Sequence, residues 1–167
     1  MLESMINELR QEAATTKRVL ERVPGDKLSW RPHKKSMSLG QLSLHVANIP
    51  GQVAGLAQLE EFDASQANFA PPEAGNVEEI LAALDAGVKT AEDYLGSLDD
   101  KTAVANWRLL SNGKEVFTVP RVGMLRNIML NHWYHHRGQL SVYLRLLEVP
   151  VPSIYGPSAD ENPFASG

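Results

Sequence analysis

Three of the five histidines are spaced so that their rings could bind one metal ion. His132 and His136 are four residues apart in a helical pattern, which leaves the two rings about 40° apart on successive turns. Both fall on the apolar seam of that pattern, where leucine is the usual residue. His45 occupies the same kind of position on another helical stretch. We therefore expect three imidazoles to converge in the interior between two helices.

A divalent metal would offset the cost of burying these rings, since a buried polar group without a partner costs roughly 1–3 kcal/mol. The chain has no cysteine, so a metal can bind only His, Asp or Glu side chains. Zinc accepts a lone pair from a neutral imidazole at about 2.0–2.1 Å. We predict that His45, His132 and His136 bind the metal and leave one position open, as in catalytic sites. Zinc is expected first, and nickel or iron next, because imidazole suits all three.

Simpler interpretations of the histidines lead to different expectations. A single histidine on an apolar face is more often a hydrogen-bonded core residue than a ligand, and a seam rotated by about 100° would put the pair on the surface. His135 lies about 100° from His136, so it should point away from the seam. The HExxH pattern of metalloproteases needs a glutamate directly after its first histidine. Trp133 stands there instead, which excludes that class.

Polar side chains near the histidines have two interpretations each. Gln41, Asn48 and Gln139 lie about one turn from the predicted ligands and could orient rings or water, or could be ordinary polar helix residues. Tyr143 lies on the seam and could line a pocket, or could be a core aromatic with a bonded hydroxyl, which is the expectation we favour. Arg137 has the phase of an outward-facing or interface residue. The sequence contains no evident general base.

Four amphipathic segments are expected to position these side chains. Pro50 should kink the second of them. Residues 63–75 are predicted to form a loop, and Trp107 to Val119, around Asn112-Gly113, either a short hairpin or an ordered loop between the third and fourth helices. The pattern as a whole indicates an all-α fold, a four-helix bundle. Apolar residues at three- and four-residue steps predict helices over 2–23, 39–59, 80–95 and about 120–147.

Length and charge exclude several classes of protein. The 167 residues fit one domain over 1–167. The formal net charge of −4 argues against non-specific nucleic-acid binding, which needs a concentrated basic surface. No apolar run is long enough to span a bilayer. The N-terminal Met1-Leu2-Glu3-Ser4 lacks the basic start and apolar stretch of a signal peptide, so a cytoplasmic protein is expected by default.

Three motifs resemble those of one family. They are Leu28 to Pro32 (LSWRP), Ser36 to Leu42 (SMSLGQL) leading to His45, and Asn131 to Gln139, which contains the pattern HxxxHRGQ. Over most of its length the chain resembles the DinB-like family of bacterial four-helix-bundle metalloproteins. The resemblance implies an up-up-down-down bundle and a homodimer.

The resemblance also implies a metal site and a chemistry. One histidine of the second helix and both of HxxxH, here His45, His132 and His136, would bind the metal together with water. Characterised members include S-transferases that use bacillithiol or mycothiol, and a mycothiol-dependent isomerase. Our leading hypothesis is a metal-dependent enzyme that transfers a low-molecular-weight thiol to a small-molecule electrophile. The alternatives are a metal-dependent hydrolase and a non-enzymatic metal-binding or stress-response protein.

Overall fold

Four long helical segments make up most of the computed structural model, which describes residues 1–68 and 72–165. The fourth segment is continuous and consists of two α-helices with a π-helix between them. A short additional helix follows the third long segment. These segments correspond to the four predicted helices. In the described residues no helix is both long and apolar enough to cross a membrane. The helices are α1 (Leu2–Leu20), α2 (Leu39–Ala57), α3 (Val77–Ser97), α4 (Asp100–Val104), α5 (Arg121–Met124), a π-helix (Leu125–Asn131) and α6 (His132–Leu146).

Helix α2 carries His45, and local sequence determines where it begins and how closely it packs. The Ser38 side chain accepts a hydrogen bond from the Gln41 backbone, and the Gln41 side chain accepts one from the Ser38 backbone, which forms a capping box. A Cβ built on Gly51 would lie 2.8 Å from the Gly87 Cα of α3. The two glycines therefore permit a close approach of α2 and α3 that a larger residue would prevent. The helix is continuous through Pro50.

The fold is mostly helical, but it also contains a three-stranded sheet. The expectation of an all-α fold is corrected in this respect. Strand β1 (Glu61–Asp63) pairs in parallel with β2 (Asn106–Ser111), and β2 pairs in antiparallel fashion with β3 (Lys114–Pro120). The hairpin alternative is thus confirmed, and β1 is an unexpected third strand. At the turn, Asn112 has φ 51° and Gly113 φ 72°, as a tight hairpin requires. Of the predicted loop 63–75, residues 69–71 lie outside the described residues.

The hairpin and the residue that follows it, Arg121, form hydrogen bonds with the end of α2 and the residues just after it. Trp107, 1% exposed, donates from its indole nitrogen to the Leu56 carbonyl at 3.2 Å. The buried Arg121 guanidinium donates to the carbonyls of Ala57 at 2.7 Å and Leu59 at 3.1 Å. Ala57 is the last residue of α2, so its carbonyl is one that the helix end leaves without a partner in the helix, and Arg121 supplies a donor. These hydrogen bonds also hold the start of the fourth segment against the end of α2, so both histidine-bearing segments share one anchor.

The fourth segment changes helical type immediately before its histidines. Leu125–Asn131 is a π-helix, in which hydrogen bonds span five residues instead of four, and α6 begins at His132. Leu125 and Met129 are fully buried, so the predicted seam leads to the histidine pair. Helices of π type are rare and occur frequently at functional sites.

Candidate metal centre

The three predicted histidines converge between α2 and α6. His45 lies in the first half of α2, and His132 and His136 lie on the first two turns of α6. One ring nitrogen from each lies within 4.8 Å of the others, and all three residues are half-buried. In the part of the chain that the structure describes, this is the one such group of three or more His, Asp or Glu side chains. The geometry allows the group to hold a metal ion.

The spacing of the rings suits a single ion. The Nε2 atoms of His45 and His132 are 3.2 Å apart. The His136 ring centroid lies 4.5 Å from the centroids of both other rings. Two nitrogens bound at about 2.0–2.1 Å to one tetrahedral ion would be about 3.3 Å apart. The observed 3.2 Å is therefore close to the separation that a shared ion imposes.

Burial keeps the three imidazoles neutral. It lowers the pKa of His45, and the neighbouring charge of protonated His132 lowers it further. Burial also lowers the pKa of His132, with a smaller contribution from His135. The pKa of His136 falls to about 4, mainly through burial and against an opposing hydrogen bond with Gln139. At neutral pH each ring thus has a lone pair available for a cation.

The polar neighbours of the site separate into two kinds. Gln139 contacts the site directly, because its Oε1 lies 2.8 Å from the Nδ1 of His136. Gln41 belongs to the cap of α2, as its bonds with Ser38 show. Tyr143 is half-buried against the core, and its hydroxyl donates to the Met37 carbonyl at 3.2 Å. Asn48 is half-buried on α2.

The other two histidines lie outside the triad. His135 is exposed, as its helical phase predicts, although its ring packs edge-on against His136 with centroids 4.9 Å apart. His33 lies in the loop before α2, where its Nδ1 accepts a hydrogen bond from the Lys35 backbone at 3.2 Å.

Arg137 does not face outward, so the outward-facing alternative for this residue is wrong. Its side chain is 1% exposed and its Nη2 lies 2.6 Å from a carboxylate oxygen of Glu12 on α1. It also donates to the hydroxyls of Thr16 at 3.0 Å and Tyr155 at 2.6 Å. The guanidinium carbon lies 5.4 Å and 5.1 Å from the ring centroids of Tyr134 and Tyr155, within cation–π range. Arg137 therefore joins α6 to α1 and to the C-terminal tail.

Comparison with known proteins gives one family match over nearly the whole chain. The model of the DinB family matches residues 1–163. A curated relative, the uncharacterised protein YrdA of Bacillus subtilis, is 24% identical over 150 residues, which cover 90% of this chain and 85% of the relative.

Solved structures of DinB-like proteins share the fold. One from Bacillus cereus has a TM-score of 0.70 and 20% identity, and the match covers 92% of this chain and 97% of that one. Another from Bacillus subtilis has a TM-score of 0.69 and 19% identity, and covers 90% and 96%. At these identities the likeness is one of fold alone.

Proposed function

The chain belongs to the DinB family, and from that premise we propose that it is a divalent-metal-dependent enzyme that transfers a low-molecular-weight thiol to a small-molecule electrophile. One observation carries the proposal: three imidazoles present nitrogens within 4.8 Å of one another. His45, His132 and His136 are the proposed ligands. Zinc is expected first and nickel or iron next, because three imidazoles suit each of them.

The donor set determines which further ligand the site favours. Three neutral imidazoles contribute no negative charge, so a divalent ion among them keeps a net charge near +2. An anion is therefore the preferred occupant of the remaining position. When bound, the ion would lower the pKa of a thiol and supply a thiolate at neutral pH.

The thiol must come from a separate molecule, because the chain has no cysteine. The three histidines are half-buried, so the site is reachable from solvent. In the proposed addition, a bond forms between the thiolate sulfur and an electrophilic carbon. The π bond of that carbon breaks, and its electron pair moves to the neighbouring atom of the electrophile, which takes up the proton that the thiol released.

An apolar cleft borders the fourth segment, which carries His132 and His136. Its volume is about 400 Å³. Ile128, which lines it, precedes His132 by four residues, so about one helical turn separates this part of the cleft from the histidines. We expect an apolar part of the electrophile to bind there. The lining residues are Leu109, Phe117, Val119, Gly123, Met124, Asn127 and Ile128.

The test compares metal-loaded wild type with His136→Ala, and uses His135→Ala as the matched control. Several cellular thiols, including bacillithiol and mycothiol, are offered with a model electrophile. We expect conjugation above background for wild type and His135→Ala only. The cobalt-substituted protein should show a thiolate charge-transfer band when thiol is added. No band, and no rate above that of His136→Ala with any thiol, would discard the transferase and leave a hydrolase or a metal-binding protein.

We also propose that the chain is a single domain over 1–167, an up-up-down-down four-helix bundle that forms a homodimer. Val142 and Leu146 support the dimer, because they lie one turn apart on α6 and are each 56% exposed. Light scattering should give about twice the 18.4 kDa of one chain, and Leu146→Glu should reduce this mass toward one chain. A wild-type monomer at micromolar concentration would contradict the dimer.

A further inference from the structure

A hydrogen bond on α6 determines which nitrogen of His136 has a free lone pair. The Nδ1 of His136 lies 2.8 Å from the Oε1 of Gln139. A neutral imidazole carries its proton on one nitrogen and a lone pair on the other, and an amide oxygen can only accept. Nδ1 must therefore be the protonated nitrogen and donate to Gln139, which leaves the lone pair on Nε2.

We propose that Gln139 is a positioning residue that holds His136 in its Nδ1–H tautomer, so that Nε2 faces the metal. This inference rests on the proposed metal centre and deepens it. The other two rings already face each other through their Nε2 atoms, which are 3.2 Å apart. With Gln139 in place, all three histidines would offer the same nitrogen to one point.

The helix itself brings Gln139 to the ring. Residues three apart on an α-helix are neighbours on its surface, so the amide needs no other element to reach Nδ1. Gln139 is exposed, and its loss should leave the core packing intact. Histidine side chains in water favour the Nε2–H tautomer. Without Gln139, the metal would have to bind the less populated tautomer, and its affinity would fall.

The first experiment reads the tautomer in metal-free protein at neutral pH, by long-range proton–nitrogen NMR correlations of the His136 ring. Wild type and Gln139→Glu, which keeps an acceptor, should show the Nδ1–H form. Gln139→Met keeps the length of the side chain without the acceptor, and should shift His136 toward the Nε2–H form. An unchanged tautomer in Gln139→Met would overturn the proposal.

The second experiment measures zinc affinity by competition with a chelator. Groups that orient a metal-binding histidine typically change metal affinity by about 10–100-fold, so Gln139→Met should lose that much. The zinc affinity of Gln139→Glu should be equal to or higher than that of wild type, or at most a few-fold lower. Gln11→Met is the matched control, because Gln11 is an exposed glutamine on α1, and it should bind as wild type does. Equal affinity of Gln139→Met and wild type would overturn the proposal.

The two experiments separate this inference from the function on which it rests. A wild type that shows the Nδ1–H form but has no affinity for zinc or other divalent metals would contradict the metal centre and uphold the bond. If wild type binds zinc and the tautomer of His136 is unchanged in Gln139→Met, only the proposed role of Gln139 is contradicted, and the metal centre is not. Circular dichroism melts of each variant exclude unfolding as the cause of lost affinity.

Discussion

Two polar clusters lie on the same turns of α6, and they are built in opposite ways. His132 and His136 are half-buried, and their ring contacts are mostly with each other and with His45. Arg137, the next residue, is 1% exposed, and Glu12 matches its charge at 2.6 Å. A rotation of about 100° thus separates three rings that could hold a cation from a cation that is neutralised within the chain.

The contrast predicts that the two clusters respond differently to substitution. Buried polar groups without charged or hydrogen-bonding partners destabilise a fold unless a ligand compensates them. A buried ion pair with all its bonds made rigidifies the fold, and loss of either partner is costly. We therefore expect substitutions at the histidines to remove binding and keep the fold. Substitution of Arg137 should destabilise the fold and leave metal binding in place.

The largest effect is expected for the histidines. Protein purified without chelator should hold about one divalent metal per chain, and His45→Ala, His132→Ala and His136→Ala should each lose tight binding. The loss should exceed the roughly 100-fold effect of removing a group that only orients a ligand. Elemental analysis after reconstitution measures the metal. His135→Ala is the matched control and should keep most of its metal.

Two results would contradict the prediction that these histidines bind metal. Wild type and His45→Ala that are equally metal-free after reconstitution would end the metal centre. A His135→Ala variant that loses metal while His136→Ala keeps it would show that the pair is spaced by three residues and not by four.

The second effect is on stability and concerns Arg137. Arg137→Met should lower the free energy of unfolding by about 3 kcal/mol, because it leaves the Glu12 carboxylate, with a side chain only 13% exposed, without its cation. Urea unfolding of metal-free protein measures the change. The zinc affinity of the folded variant should stay within a few-fold of wild type. An Arg137→Met variant that keeps wild-type stability but loses metal would contradict a structural role for Arg137 and place it in the metal centre.

Sequence periodicity was enough to find the first cluster but not the second. The i, i+4 spacing fixes His132 and His136 on one face whatever they pack against, and the same reasoning separates His135 from His136. Whether they bind metal stays a prediction. The burial of Arg137 depends on Glu12 from a distant helix, which helical phase alone does not reveal. A signal was present, since a carboxylate flanks the apolar stripe of α1, but pairing it with Arg137 requires the packing of α1 on α6.

The sheet and the π-helix show the same limit. Asn112-Gly113 makes a hairpin one of the two predicted alternatives, because both residues accept positive φ, a local property. Strand β1 is three residues long and pairs with residues far along the chain, at Arg108, Leu109 and Leu110, so no local pattern predicts it. The π-helix Leu125–Asn131 has an ordinary apolar pattern.

A smaller effect should appear in the pH dependence of the metal-free protein. Burial lowers the pKa of His136 from its usual 6.5 to about 4, so the unfolded chain binds more protons between these values. The free energy of unfolding should therefore be highest above pH 6.5 and fall as the pH drops toward 4. Urea unfolding in chelator at several pH values measures this slope. His136→Leu should have a shallower slope between pH 6.5 and 5, and equal slopes would contradict the prediction.

The smallest effect is expected for Glu8, which joins α1 to the π-helix and α6 near the surface. Its carboxylate accepts two bonds from Arg126, at 2.7 and 2.6 Å, and one from the Tyr134 hydroxyl at 2.8 Å. The bonds from Arg126 lower the pKa of Glu8, yet the two side chains are 40% and 30% exposed, so water screens the pair. Glu8→Gln should therefore lower the free energy of unfolding by about 1 kcal/mol or less, and not by the larger cost of a buried pair. Urea unfolding beside Arg137→Met measures the difference. Equal losses would show that burial does not explain why Arg137 matters.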